Sequence, residues 1–200
     1  MSAVLSLQLR TFSLSLIYEG GYRITDPSAI HFITFAVVEW VDVFTRKEYR
    51  DIVLDSIRYC QKEKGLVLYS WCLMSNHLHM VISAKGNNIS DVLRDFKKYT
   101  SKQITNAIKT NPQESRRQWM IELFKKAGEQ NSRNEVYQFW QQDNQPKELI
   151  SQRFCDQKLD YIHNNPVEAG LVDKAEEYVY SSARDYYYGK KIGLLEIEWL

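Results

Sequence analysis

Three cysteines in a chain of 200 residues, Cys60, Cys72 and Cys155, stand too far apart to form any Cys-x-x-Cys pair. That spacing excludes a disulfide framework and a zinc knuckle, and it predicts buried free thiols in a cytoplasmic protein. No apolar run approaches the ~20 residues that a membrane-spanning helix needs. Internal repeats and low-complexity segments are also missing. Excess charge of one sign is absent: 26 Lys and Arg against 25 Asp and Glu leave a net charge of +1, so no global charge argument points to nucleic acid. What is present is 44% hydrophobic residues, enough to bury the core of one soluble domain. Basic charge is concentrated locally. Between residues 91 and 126 nine basic side chains stand against four acidic ones, either a solvated helical face or a contact surface for phosphates.

Residues 1–21 mix Leu and Ser without clear periodicity and end in Gly20-Gly21. The positive leading region and small-residue cleavage site of a secretory signal are missing, so they read as an irregular arm or an extension outside the fold. A single domain is expected over 22–188, with 189–200 as a tail. Residues 31–40 are β-branched and aromatic, as in a buried central strand. A helix follows over 47–64, with Thr45 and Glu48 at capping-box spacing and Gly65 in the position that ends it. Strands are expected over 66–74 and 77–83, joined by Ser75-Asn76 as an antiparallel hairpin. Ser90 is placed to cap a helix running to about residue 110, with an apolar stripe of Val92, Phe96, Ile104 and Ile108. A short helix fits 118–126, and Tyr137-Gln-Phe-Trp140 is the candidate fourth strand. The order β-α-β-β-α-β predicts an α+β fold, a ferredoxin-like antiparallel sheet with helices on one face. A C-terminal helical extension follows: a helix over 156–165 stopped by Asn164-Asn165-Pro166, one turn closed by Gly170, and an aromatic stretch over 178–188 that packs on the core.

The chemistry centres on residues 69–103. His77 and His79 are two apart on a strand, so both imidazoles leave one face about 7 Å apart. Tyr99 and Gln103 are four apart on a helix and project from one side of it. If that helix packs on that sheet face, two imidazoles, a carboxamide and a phenol meet. His77, His79 and Gln103 would hold a divalent ion, Mg²⁺ or Mn²⁺, with open positions for phosphate oxygens and water. Tyr99 would attack phosphorus and form a phosphotyrosine. Lys98 and Lys102 lie close enough to lower its pKa or to hold phosphates. Each signal alone is weak, since a His-x-His pair or a helical Tyr is more often ordinary packing. His31 and His163 have no partner at ligand spacing.

These residues resemble the HUH endonucleases with a single catalytic tyrosine, the IS200/IS605-like transposases. His77-Leu78-His79 matches the His-hydrophobe-His motif and Ser75-Asn76 before it fits. Phe139-Trp140-Gln141, the tract from Asp160-Tyr161-Ile162-His163 through Asn164-Asn165-Pro166 to Val172, and Tyr180-Ser181-Ser182-Ala183 are similar to the REP-associated tyrosine transposase branch. The resemblance implies that Tyr99 is the nucleophile and Gln103 the third metal ligand. It also implies an enzyme that binds hairpins in single-stranded DNA, then cuts and rejoins strands beside them. Lys97, Lys98, Lys102, Arg116, Arg117 and Arg184 are its candidate DNA contacts. Tyr161 and His163 would lie near DNA as well, unless they are packing residues. Monomers and homodimers both fit the resemblance. Two other classes compete: a domesticated protein that holds folded single strands without turnover, and an RNA-binding or hydrolytic metalloprotein in which Tyr99 is structural.

Overall fold

The computed structural model describes residues 24, 26–86, 88–130, 136–142 and 146–200; the arm over 1–21 lies outside them. Four antiparallel strands form one sheet in the order β2-β3-β1-β4. They are β1 (His31–Ala36), β2 (Leu66–Leu73), β3 (His77–Ala84) and β4 (Lys147–Glu148). Helices α1 (Lys47–Glu63) and α2 (Ile89–Thr110) complete a ferredoxin-like β-α-β-β-α-β unit, and α3 (Arg117–Glu129) follows α2. The C-terminal extension holds α4 (Gln152–Glu168) and α5 (Ala183–Tyr188).

Side chains alternate across a strand, and here both faces are covered. Ile33, Phe35, Leu78, Met80 and Ile82 join Val53 and Ile57 of α1 and Val92, Phe96, Ile104 and Ile108 of α2 in the main core. Phe32, Cys72 and Val81 leave the opposite face and meet Ile162 of α4. A register shift between Leu68 and Ser70 puts Tyr69 and Ser70 on the α4 side together. There Tyr69 is bonded to Ser83 (3.1 Å) and Ser70 to His163 (3.2 Å).

Several local expectations change. The candidate strand at Tyr137–Trp140 makes only an isolated bridge, Val37 with Trp140. Phe139 and Trp140 are consecutive and both buried in the main core, which strict alternation forbids; the ladder partner of β1 is Lys147–Glu148 instead. Thr45 does not cap α1. It sits in a 3-10 turn with its hydroxyl on the Asp42 carbonyl (3.4 Å), while Arg46 occupies the cap position. Ser90 lies inside the first turn of α2, behind Asn88. Gly65 follows the α1 cap at φ +72°, as expected of a C′ glycine.

The proline that was expected to stop α4 lies inside it. Pro166 is buried, and the helix runs on to Glu168 before Gly170, at φ +69°, ends the turn. One lost backbone hydrogen bond is outweighed by seating Ile162 and Pro166 on the protein's interior. Residues 189–200 are also packed in: Leu195 and Ile197 are buried in the main core, and Glu198 donates its N–H to Leu68 (2.8 Å). All three cysteines are free and buried, with burial pushing Cys60 up to about 11 and Cys72 up to about 12.

Glu114 ties the start of α3 to the loop after β1. Its buried carboxylate accepts from Arg46 Nε (2.8 Å) and Arg116 Nε (3.0 Å), and Arg116 Nη1 also donates to the Asp42 carbonyl (2.9 Å). Burial opposes its charge, but the bonds from Arg116 and Arg46 prevail and hold the carboxyl below its ordinary range. Glu114→Gln should therefore cost about 2–3 kcal/mol at neutral pH by urea titration, a buried pair whose arginines keep some solvent. A lowered carboxylate pKa gives stability that is present above the unfolded value and lost on acidification. The two proteins should converge as pH falls through and below 4.5.

Candidate active site

The site is built from β3 upward. His77 and His79 leave the same face, with ring centroids 4.6 Å apart and planes at 71°. Each imidazole is oriented from behind. His77 Nδ1 donates to Asn76 Oδ1 (2.7 Å), and His79 Nδ1 lies 2.8 Å from Thr34 Oγ1 on the neighbouring strand. Nδ1–H in these bonds makes each Nε2 the acceptor nitrogen of its ring. Phe32 stacks on the His79 ring at 5.6 Å.

Helix α4 closes over this face. Asn165 Nδ2 lies 3.4 Å from His79 Nε2. Tyr161, one turn earlier, sits edge-on to the His79 ring at 5.1 Å and to Phe32 at 6.0 Å. Lys158, another three residues back, places its ammonium 4.8 Å from the Phe32 ring, 5.4 Å from Phe154 and 5.3 Å from Tyr161. Phe154, Lys158, Tyr161 and Asn165 thus form one stripe of the helix, which starts at a Ser151 cap bonded to the Phe154 N–H. Tyr161 keeps 42% of its surface exposed, so the residue borders solvent.

Burial keeps the histidines neutral. It pulls His77 below its usual value, a shift that a hydrogen bond with Asn165 opposes, and it pulls His79 down to about 3. Neutral imidazoles with free Nε2 atoms are metal ligands. Among the described residues no three His, Cys, Asp or Glu side chains cluster as a metal site; the third polar group at the histidine pair is the Asn165 carboxamide. Two imidazoles and a carboxamide fit a divalent ion of the Mn²⁺ or Mg²⁺ kind once the Asn165 amide, whose nitrogen faces His79 Nε2 here, turns its oxygen inward.

The structure does not bring Tyr99 and Gln103 to the histidines. Helix α2 packs on the opposite face of the sheet, and Tyr99 is 56% exposed there rather than turned to the sheet. Lys98, Lys102 and Arg117 are exposed on α2 and α3. Lys97 bonds the Gln141 carbonyl (3.2 Å), Arg116 is committed to Glu114 and Asp42, and Arg184 reaches the Glu176 carbonyl (3.4 Å). His163 is a packing residue: its Nε2 lies 2.9 Å from Ser182 Oγ, its ring meets Tyr186, and burial pulls it down to about 4. His31 is buried on the Ala29 carbonyl (3.0 Å). Asn165, Thr34 and Lys158 were missed as site residues by sequence reasoning. The one available signal was the four-residue spacing of Tyr161 and Asn165, the same as that of Tyr99 and Gln103.

An antiparallel β2-β3-β1-β4 sheet with a His-hydrophobe-His pair on an inner strand is the arrangement expected of a transposase of the HUH class. Residues 28–143 match the family model described as Transposase IS200 like, and the chain belongs to that family. The matched stretch carries both histidines and ends before β4 and α4. In fold the chain is similar to a solved REP-associated tyrosine transposase bound to a REP hairpin. That match has a TM-score of 0.59 at 18% identity and covers 90% of this chain and 91% of the other. No curated protein sequence matches the chain. No helix among the described residues is long and apolar enough to cross a membrane.

A histidine whose folded pKa is lowered takes up its proton more readily in the unfolded chain, so stability is complete above the unfolded value and falls as pH drops. For His163 the window runs from 6.5 down to about 4. His163→Gln should flatten part of the acid slope in urea midpoints across that window, leaving the rest to His77 and His79.

Proposed function

We propose that the chain is a metal-dependent transesterase acting on single-stranded DNA hairpins, with Tyr161 as nucleophile and His77, His79 and Asn165 as the divalent-metal ligands. The observation that carries this reading is the seating of Tyr161 and Asn165 over the histidine pair. A divalent ion held there, Mg²⁺ or Mn²⁺, supplies Lewis-acid polarisation of a phosphate. The Tyr161 oxygen attacks phosphorus, its proton passing to solvent. The bond from phosphorus to the 3′ oxygen breaks, that oxygen takes up a proton and leaves as a hydroxyl, and the 5′ phosphate stays on tyrosine. A second 3′ hydroxyl reverses the sequence and joins strands. The ammonium of Lys158 places positive charge beside the phenol and the incoming phosphate. Thr34 and Asn76 hold the imidazoles in the ligating tautomer. All four reactive side chains come from one chain, which suits a monomeric active unit. The hairpin partner accords with the REP hairpin held by the structural relative.

The test is a denaturing gel of the protein incubated with labelled hairpin oligonucleotides and Mn²⁺ or Mg²⁺. A metal-dependent covalent band is expected, lost in Tyr161→Phe and kept in Tyr99→Phe. An undiminished band in Tyr161→Phe would overturn the assignment, and retardation with no band in any protein would favour a binding protein without turnover. Thr34→Val should weaken Mn²⁺ binding, read by calorimetry, by about 10- to 100-fold through loss of the bond behind His79.

A further inference from the structure

Beside the histidine pair, on the side away from Tyr161, stands Trp40. Its ring meets His77 edge-on at 5.6 Å, yet 53% of its surface is exposed. The rings of Trp40, His77, His79 and Tyr161 form an unbroken row. The backbone that presents Trp40 is strained. Glu39 (φ 53°) and Trp40 (φ 54°) are the two non-glycine residues with positive φ among those described, and they are adjacent. Left-handed backbone is costly for residues with a Cβ and persists where surrounding contacts impose it. Those contacts are visible: Asn76 Nδ2 donates to the Trp40 carbonyl (3.1 Å) and to Asp42 Oδ1 (3.1 Å), and Ser75 Oγ donates to the same Asp42 oxygen (2.6 Å). The other end of Asn76 orients His77. One carboxamide therefore ties the backbone that carries the indole to the His77 imidazole.

We propose that Trp40 is a stacking platform for one unpaired base of the DNA strand, next to the phosphate that the histidine pair receives. This rests on the proposed single-stranded DNA substrate. An exposed indole on a restrained backbone beside the histidine pair is worth little to the fold, whereas every base has a face that stacks on it. Glu39, the exposed neighbour of Trp40 in the chain, adds negative charge there, which favours a base over a backbone phosphate as the contact. The platform holds the strand on the far side of the histidines from Tyr161 and limits sliding of the scissile phosphate.

The experiment measures affinity of full-length Tyr161→Phe protein, which cannot cut, for hairpins with and without single-stranded extensions. Adding Trp40→Ala should weaken binding to the extended hairpin by about 5- to 150-fold and leave binding to the bare hairpin unchanged. The slope of affinity against salt should not change, since no phosphate contact is lost. Walking an abasic site along the extension should find one position at which Trp40→Ala makes no further difference. Trp40→Gly, which relaxes the left-handed backbone, should bind as weakly as Trp40→Ala and melt no lower than the parent. Equal affinities for the extended hairpin, or a loss equal on the bare hairpin, would overturn the platform. So would a fall in melting temperature for both variants, which would mark the ring as structural. The covalent-band assay reports on the transesterase separately. A band with no effect of Trp40→Ala sinks the platform alone, and an abasic-sensitive effect with no band sinks the transesterase alone.

Discussion

The two-residue period of β3 is the constraint on which the rest depends. It sends Leu78, Met80 and Ile82 into the core beneath α1 and α2, and His77, His79 and Val81 to the other face. A strand whose two faces are both buried needs a second layer of cover. Helix α4 provides it, bringing Ile162 and Pro166 as apolar residues and setting Tyr161 and Asn165 against His79. The same packing that removes Phe32 and Val81 from water therefore assembles the site. A slip of one residue in the β1–β3 register would exchange the two faces, and it is prevented by the apolar set on the far side.

Burial acts on the chemistry in the same stroke. It drives His79 down to about 3 and lowers His77, which keeps both rings neutral at the cost of acid stability. Thr34 and Asn76 engage the Nδ1 atoms, and Asn165 Nδ2 lies against His79 Nε2 on the other side of the ring. The exposed edge of the site is different in kind. Tyr161 and Trp40 retain much of their surface, and Lys158 is held among rings rather than in an ion pair. A buried, neutral, oriented pair flanked by accessible aromatics suits a strand that enters from solvent and presents one phosphate.

Helices and strands were legible because their signals are local. The apolar stripe of α2, the glycine after α1 and the hairpin at Ser75-Asn76 all depend on spacing within a few residues. The errors came where distant packing overrode a local preference. Pro166 favours a helix stop locally, but seating it in the interior outweighs the lost hydrogen bond. Phe139 and Trp140 suggested a strand, but both rings fill the same core. Arg116 and His163 offered polar groups for DNA and are instead held by Glu114 and Ser182. Leu195 and Ile197 looked like tail and are core.

By itself the sequence determined the sheet's hairpin, the shared face of His77 and His79, and the resemblance to a transposase, since each is a matter of neighbouring residues. It also contained two helical pairs of a tyrosine and a carboxamide four residues on, Tyr99 with Gln103 and Tyr161 with Asn165. Local geometry cannot rank them, because both pairs project from a helix in the same way. Only the tertiary structure separates their positions: α2 is drawn to the Leu78–Met80–Ile82 face by its apolar stripe, and α4 is left to cover the histidines.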